Sequence, residues 1–199
     1  MNYLNLNKMN QEYEVKILNI EVADIEAKLK KLGATKEGDY FYRSCSFDYP
    51  GFPMDKNASW VRLRDEGDKI MMAYKKRLGV KSNKGDDEGM EQIEFEIKDY
   101  EVAKLFLLKI GMIVKFESEK KRTRWKKDGV EFDIDTWPKL KPYLEIESSS
   151  HAKVDEAMSW LGMDKRDALR CSSTQIYEMN GIRDKDYISI TFGEWVKRV

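Results

Sequence analysis

The chain has 199 residues and is poor in the residues on which several protein chemistries depend. It holds two cysteines, Cys45 and Cys171, in neither a C-x-x-C nor a cysteine–histidine zinc spacing, so a disulfide framework and a zinc module are both excluded. Its one histidine, His151, follows Ser148-Ser149-Ser150 at a helix start, and no Ser/His/Asp or Cys/His nucleophile arrangement can be built around it. Net charge is also lacking: 36 basic residues balance 36 acidic ones, without the basic surplus of a general nucleic-acid binder. Met1 to Asn10 contain no apolar run, so neither a signal peptide nor a membrane span is expected there, and the expectation is a cytoplasmic protein. No G-x-x-x-x-G-K-[ST] phosphate loop occurs, which removes the commonest nucleotide-binding fold.

What the chain has in quantity is charge, and that charge is sorted. In Glu12-Tyr13-Glu14-Val15-Lys16, strand alternation puts Glu12, Glu14 and Lys16 on one face and Tyr13, Val15 and Ile17 on the other. Arg62 and Arg64 alternate with Val61 and Leu63, and the next strand delivers Lys75. Glu94 and Glu96 alternate with Ile93, Phe95 and Ile97, while Lys120, Arg122 and Arg124 share one parity. Asp133 and Asp135 alternate with Phe132 and Ile134, and Glu145 and Glu147 with Leu144 and Ile146. Like charges side by side cost stability unless counter-charges or a ligand answer them. A closed antiparallel barrel accounts for the pattern, because interior and exterior residues alternate on every strand. Its interior would be a charged tunnel holding a polyanion and a cation.

These motifs, in this order over about residues 10–180, resemble the CYTH superfamily, which contains class IV adenylate cyclases, thiamine triphosphatases and inorganic triphosphatases. The resemblance implies an α+β fold, an eight-stranded antiparallel β-barrel (the triphosphate tunnel) with flanking helices. By the same matching, Glu12, Glu14, Asp133, Asp135, Glu145 and Glu147 would hold Mg²⁺ or Mn²⁺, with Asp133 and Glu145 the better matched of the last four. Lys16, Arg62, Arg64, Lys75, Lys120 and Arg122 would grip the phosphates, since arginine offers a planar fork and lysine a compact charge. Glu12, Glu14 and Lys16 stand as candidate catalytic residues, and Glu94 and Glu96 as acids that fix the arginines behind them. Arg124, next to a turn, is expected to face solvent.

Between the strands, Val22, Ile25, Leu29 and Leu32 predict a helix stopped by Gly33. Val102, Leu105, Phe106, Leu108 and Ile110 predict a second, and Lys153 to Leu161 a third. Strand, glycine-stopped helix and further strands occur twice, which reads as an internal two-fold repeat. Gly79 to Gly89 form a polar loop that could cover a tunnel mouth. One tunnel domain is expected over 10–180, with an N-terminal extension at 1–9 and a C-terminal tail at 181–199 that shows no regular pattern.

The function expected is metal-dependent hydrolysis of a linear triphosphate: tripolyphosphate, thiamine triphosphate or a nucleoside triphosphate. The alternative is a class IV adenylate cyclase; the run Asp133-Ile134-Asp135-Thr136-Trp137-Pro138 resembles a cyclase-like branch. Proteobacterial class IV cyclases carry a His-Phe pair where this chain has Leu6 and Asn7, and that favours hydrolysis. A non-catalytic polyphosphate or nucleotide sensor would keep the bases and lose the metal carboxylates, which are all present. The expected partner is a small-molecule triphosphate, with no nucleic acid and no membrane, and oligomeric state is left open.

Overall fold

Strand and helix alternate twice before the chain settles into strands. The first half runs β1 (Tyr13–Ile17), α1 (Val22–Leu32), β2 (Thr35–Asp48), α2 (Pro53–Lys56), β3 (Ser59–Asp65) and β4 (Ile70–Leu78). The second runs β5 (Gly89–Ile97), α3 (Tyr100–Lys109), β6 (Ile113–Lys127), β7 (Val130–Thr136), β8 (Tyr143–Ser148) and α4 (His151–Trp160). A C-terminal group follows: β9 (Ala168–Leu169), α5 (Ser173–Met179), β10 (Tyr187–Ile190) and β11 (Trp195–Lys197). The computed structural model describes residues 13–78 and 89–198, so Glu12, the Leu6–Asn7 position and all but the last residue of the Gly79–Gly89 loop lie outside the described residues.

Local signals account for the boundaries. α1 ends where Gly33 takes φ 77°, a left-handed conformation that glycine adopts without a Cβ penalty. α3 starts where the Asp99 carboxylate accepts from the Val102 N–H at 3.0 Å. β6 turns into β7 through Asp128 (φ 49°) and Gly129 (φ 76°), two left-handed residues between the paired Lys127 and Val130. That is the turn whose twist matches a two-residue hairpin.

The sheet runs in the order β5-β4-β3-β2-β6-β7-β8-β1-β9. Its centre is the long β2–β6 pair, aligned from Thr35 opposite Lys126 to Asp48 opposite Ile113. Each half of the chain therefore supplies one strand of that pair and the next two beside it, and the two opening strands are exchanged: β5 joins β4 and β1 joins β8. The eight long strands are antiparallel to their neighbours and helices flank them, as expected. The sheet is curled rather than strictly closed, and among the described residues no ladder joins β5 to β9.

The helices cover the outer side. Ile25 and Leu29 of α1 and Val154, Ala157 and Met158 of α4 pack on Val15, Ile17, Phe132, Ile134, Leu144 and Ile146. Tyr100 and Leu107 of α3 pack on Cys45, Phe47 and Leu63. Each such side chain contributes roughly 1.5–3 kcal/mol by leaving water, which holds the odd–even parity of every strand in place. The chain beyond α4 has a definite position. β10 pairs in parallel with β6 at Glu117 and Ser118, and Ile176, Tyr177 and Ile190 bury against Leu140 and Tyr143. No helix among the described residues is long and apolar enough to cross a membrane.

Candidate active site

With the outer parity committed to the helices, the other parity faces inward, and strand register lines it up. Glu94 lies opposite Ala73, which lies opposite Arg62. Arg62 and Arg64 face Ser46 and Ser44, and Tyr42 faces Lys120. Across the sheet, Arg122 opposes Asp135, Arg124 opposes Asp133, Asp133 opposes Glu145, and Glu145 opposes Lys16. Glu147 is opposite both Glu131 and Glu14. One continuous inner face therefore carries the charged residues predicted for β1 and β3 to β8. Lys75 shares it opposite Trp60 and Gln92, and Glu96 shares it opposite Met71, at an exposed position.

At the β6–β7–β8–β1 end this face is an ion network. The Arg122 guanidinium meets Asp135 at 2.6 Å, Glu145 at 2.8 Å and Asp133, with its side chain 7% exposed. Lys120 reaches Asp135 at 2.9 Å. Arg124, expected to face solvent, instead binds Asp133 through Nε at 2.8 Å and a terminal nitrogen at 2.7 Å. The reason is register: the partner of Arg124 across the ladder is Asp133, which only pairing reveals. Lys16 lies between Glu14, at 2.6 Å, and Glu145, at 3.1 Å. Burial lowers the affinity of the Lys16 amine for its proton, but Glu145 and Glu14 more than offset this and raise its pKa. Burial pushes the Glu145 carboxyl up, while Lys16, Arg122 and Lys120 together hold it well below the usual carboxylate range. Both groups are therefore charged at neutral pH.

The acids divide into two sets. Asp133 and Asp135 are fully engaged by arginine and lysine. Glu14, Glu145 and Glu147, of which the first two also meet Lys16 and the second Arg122, bring carboxylate oxygens within 4.8 Å of one another, with Glu14 exposed, Glu145 buried and Glu147 between. Three converging carboxylates fit a hard divalent cation, which takes oxygen ligands and neutralises the repulsion among them.

At the β3–β4–β5 end the balance is reversed. Arg62 meets Glu94 at 3.1 Å, and Arg64 lies 3.7 Å from the same carboxylate. Burial and the neighbouring Arg64 pull Arg62 down to about 10, with Glu94 opposing. The Nε atoms of Arg62 and Arg64 are shut off from water and have no hydrogen-bond partner among the described residues. A buried donor without an acceptor is rare in folded proteins, and here two lie on neighbouring arginines of one strand face.

Two residues of this region escaped the sequence reading. Tyr42 is buried, and its ring lies 5.1 Å from the Lys120 nitrogen, 5.4 Å from the Arg64 guanidinium and 5.7 Å from that of Arg122. Burial pushes its hydroxyl up to about 12 against the pull of Arg122, so it stays a neutral donor beneath three cations. Its even-numbered place beside Tyr40 on β2 was the available signal. Glu66 sits in the β3–β4 turn, where solvent exposure is the default, yet its side chain is 7% exposed and pairs with Arg64. No sequence pattern distinguishes it from Asp65 or Asp68.

The CYTH domain family model matches residues 10–170. This chain belongs to the CYTH domain family. Among solved structures, a protein from Pyrococcus horikoshii OT3 has TM-score 0.64 and 25% identity, covering 81% of this chain and 96% of that one. A Vibrio parahaemolyticus protein provisionally assigned as an adenylate cyclase has TM-score 0.69 and 12% identity, covering 85% of this chain and 98% of its own. A provisionally assigned adenylyl cyclase from Hippeastrum, described as having a dominant triphosphatase activity, has TM-score 0.60 and 13% identity, covering 87% and 97%. At those identities the last two show the fold alone. No curated protein matches the chain.

Proposed function

We propose that this CYTH chain is a divalent-metal-dependent phosphohydrolase that cleaves a linear triphosphate. The observation that carries the reading is the inner face itself, where Arg62 and Arg64 hold unanswered buried donors and Glu14, Glu145 and Glu147 converge on one ladder end. A polyanion satisfies the first group, and a divalent cation satisfies the second. The triphosphatase activity named for the Hippeastrum relative agrees with it.

In this reading Arg62, Arg64, Lys75, Lys120 and Arg122 hold the phosphate oxygens, with Lys16 closing the grip beside the acids. Glu94 keeps the paired guanidiniums of Arg62 and Arg64 in place, and Asp133 and Asp135 do the same for Arg122 and Arg124. Glu14, Glu145 and Glu147 would hold the cation, with Glu12 the remaining candidate from the same sequence motif. A bound Mg²⁺ or Mn²⁺ would neutralise charge on the phosphate oxygens. Water attacks the terminal phosphorus, the bridging P–O bond breaks, and a carboxylate of the acidic group accepts the proton that the water loses. Such catalysis rests on position and fixed charge.

The test is incubation with tripolyphosphate, thiamine triphosphate and ATP under Mg²⁺ or Mn²⁺, resolving orthophosphate, pyrophosphate and cyclic AMP. Cleavage of tripolyphosphate to orthophosphate and pyrophosphate, exceeding cyclic AMP formation from ATP, is expected. Cyclic AMP as the main product, with tripolyphosphate untouched, would make the protein a cyclase, since only a nucleotide carries the attacking ribose hydroxyl. Binding without any product would make it a sensor.

A further inference from the structure

Helix α3 has two apolar faces and a core for only one of them. Tyr100, Ala103 and Leu107 face the sheet. Val102, Leu105 and Phe106, at the i, i+3, i+4 spacing of a second stripe, are 63%, 55% and 59% exposed. Leu108 and Ile110 flank them and are exposed as well. The contrast with α1, its counterpart in the other half of the chain, is direct. There the exposed positions are Ala23, Asp24, Ala27, Lys28, Lys30 and Lys31, an ordinary solvated face. A second exposed apolar pair lies on the sheet edge. Phe95, opposite Met72 of the cluster under α3, and Ile93 are 50% and 53% exposed on β5, the terminal strand of the ladder. The five side chains on and just after α3 leave on the order of 500 Å² of exposed apolar surface per chain, at the upper end of the ~300–600 Å² of the largest patch on an ordinary monomer.

We propose that the exposed stripe of α3 is the interface of a two-fold homodimer. Its charges select a second copy as the occupant. Exposed Glu101, which also meets Arg43 at 3.4 Å, stands at the N-terminal end of the stripe, and exposed Lys109 stands at the C-terminal end. When two α3 helices cross antiparallel, Glu101 of each copy meets Lys109 of the other and the apolar stripes face one another. A two-fold interface must be self-complementary, and an uncharged stripe between an acidic and a basic end meets that condition. Two such stripes bury on the order of 1,000 Å², the size at which specific interfaces begin. The α3 interface lies on the outer side of the sheet and leaves the charged inner residues untouched.

Sedimentation velocity over a wide concentration range tests the proposal, and the wild type is expected to sediment as a dimer. The Leu105→Glu/Phe106→Glu variant is expected to be monomeric, with its dimer dissociation constant raised at least ~100-fold by the burial of unpaired charge. Its far-UV circular dichroism and tripolyphosphate-induced thermal shift should match the wild type. Independently, Glu101→Lys should weaken the dimer severalfold, and adding Lys109→Glu should restore it. A wild type that stays monomeric at its highest soluble concentration overturns the proposal. So does a dimer that survives the double glutamate variant.

Discussion

Replacing Arg122 by methionine keeps the aliphatic stem and removes the counter-charge shared by Asp133, Asp135 and Glu145, whose side chains are 1%, 1% and 9% exposed. Removing one partner of a buried ion pair costs about 3–5 kcal/mol, because the remaining charge stays out of water. Arg124, Lys120 and Lys16 still reach the three acids at 2.7, 2.9 and 3.1 Å, so the loss belongs at the low end of that range. At ~3 kcal/mol, a domain of this size should melt ~6–12 °C lower. The loss must also depend on pH. Glu145 is held below its ordinary pKa, so its contribution to stability is present above the unfolded value of ~4.3 and is lost as pH falls toward the folded one. The variant forfeits part of that contribution, so the gap from wild type should be widest near neutrality and narrow as pH drops below ~4.3. Urea denaturation followed by circular dichroism at pH 7 and pH 4 measures both effects. Adding Asp135→Asn should cost less in the Arg122→Met background than in the wild type, since one unpaired acid is then gone. A loss below ~1 kcal/mol that is equal at both pH values would refute the reasoning, by showing that these carboxylates are solvated in the folded protein.

The remaining predictions address the rest of the inner face. Glu14→Ala should weaken Mn²⁺ binding at least ~10-fold by calorimetry, and excess chelator should abolish tripolyphosphate cleavage; full turnover in chelator would sink the metal assignment. Tripolyphosphate at 100 times its dissociation constant should stabilise the wild type by about 2.7 kcal/mol, and Arg64→Ala measured at the same concentration should gain less; equal gains would mean that Arg64 does not touch the ligand. Burial raises the Glu94 carboxyl, but Arg62, Arg64 and Lys75 hold it below its usual value. Glu94→Gln should therefore be less stable than wild type at pH 7, with the gap closing below ~pH 4.3, and a gap constant with pH would count against the pairing. Glu66→Gln should raise KM for tripolyphosphate severalfold with little change in kcat, through the freed Arg64; an unchanged KM would leave Glu66 a purely structural acid.

Period-two alternation made the inner face legible before any contact was known. Once Val15, Ile17, Phe132 and Ile146 are apolar, burying them leaves Glu14, Lys16, Asp133 and Glu145 on the other side with no freedom to choose. The helices were legible too, because their spacing and stops are local: α1 spans Val22 to Leu32 as read, and α3 and α4 begin about two residues earlier than their patterns suggested. Family motifs added the likeness to the tunnel enzymes, which the match over residues 10–170 bears out.

Register, pairing and curl were decided only in three dimensions. Alternation says that Arg124 and Asp133 point inward, but not that they oppose each other; that depends on the two-residue turn at Asp128-Gly129. Alternation likewise treats the six candidate metal acids alike, whereas the fold gives Asp133 and Asp135 to cations and brings Glu14, Glu145 and Glu147 together. Glu66 reaches Arg64 from a turn, and the chain beyond α4 buries Ile176, Tyr177 and Ile190 through contacts with residues 30 or more positions away, such as Tyr143. Neither leaves a periodic trace. The sequence alone determined which residues face inward, because side-chain direction along a strand is a property of the local backbone. Which charge meets which, and therefore where a cation or a phosphate finds its partners, was decided by strand pairing, because those neighbours are distant in the chain.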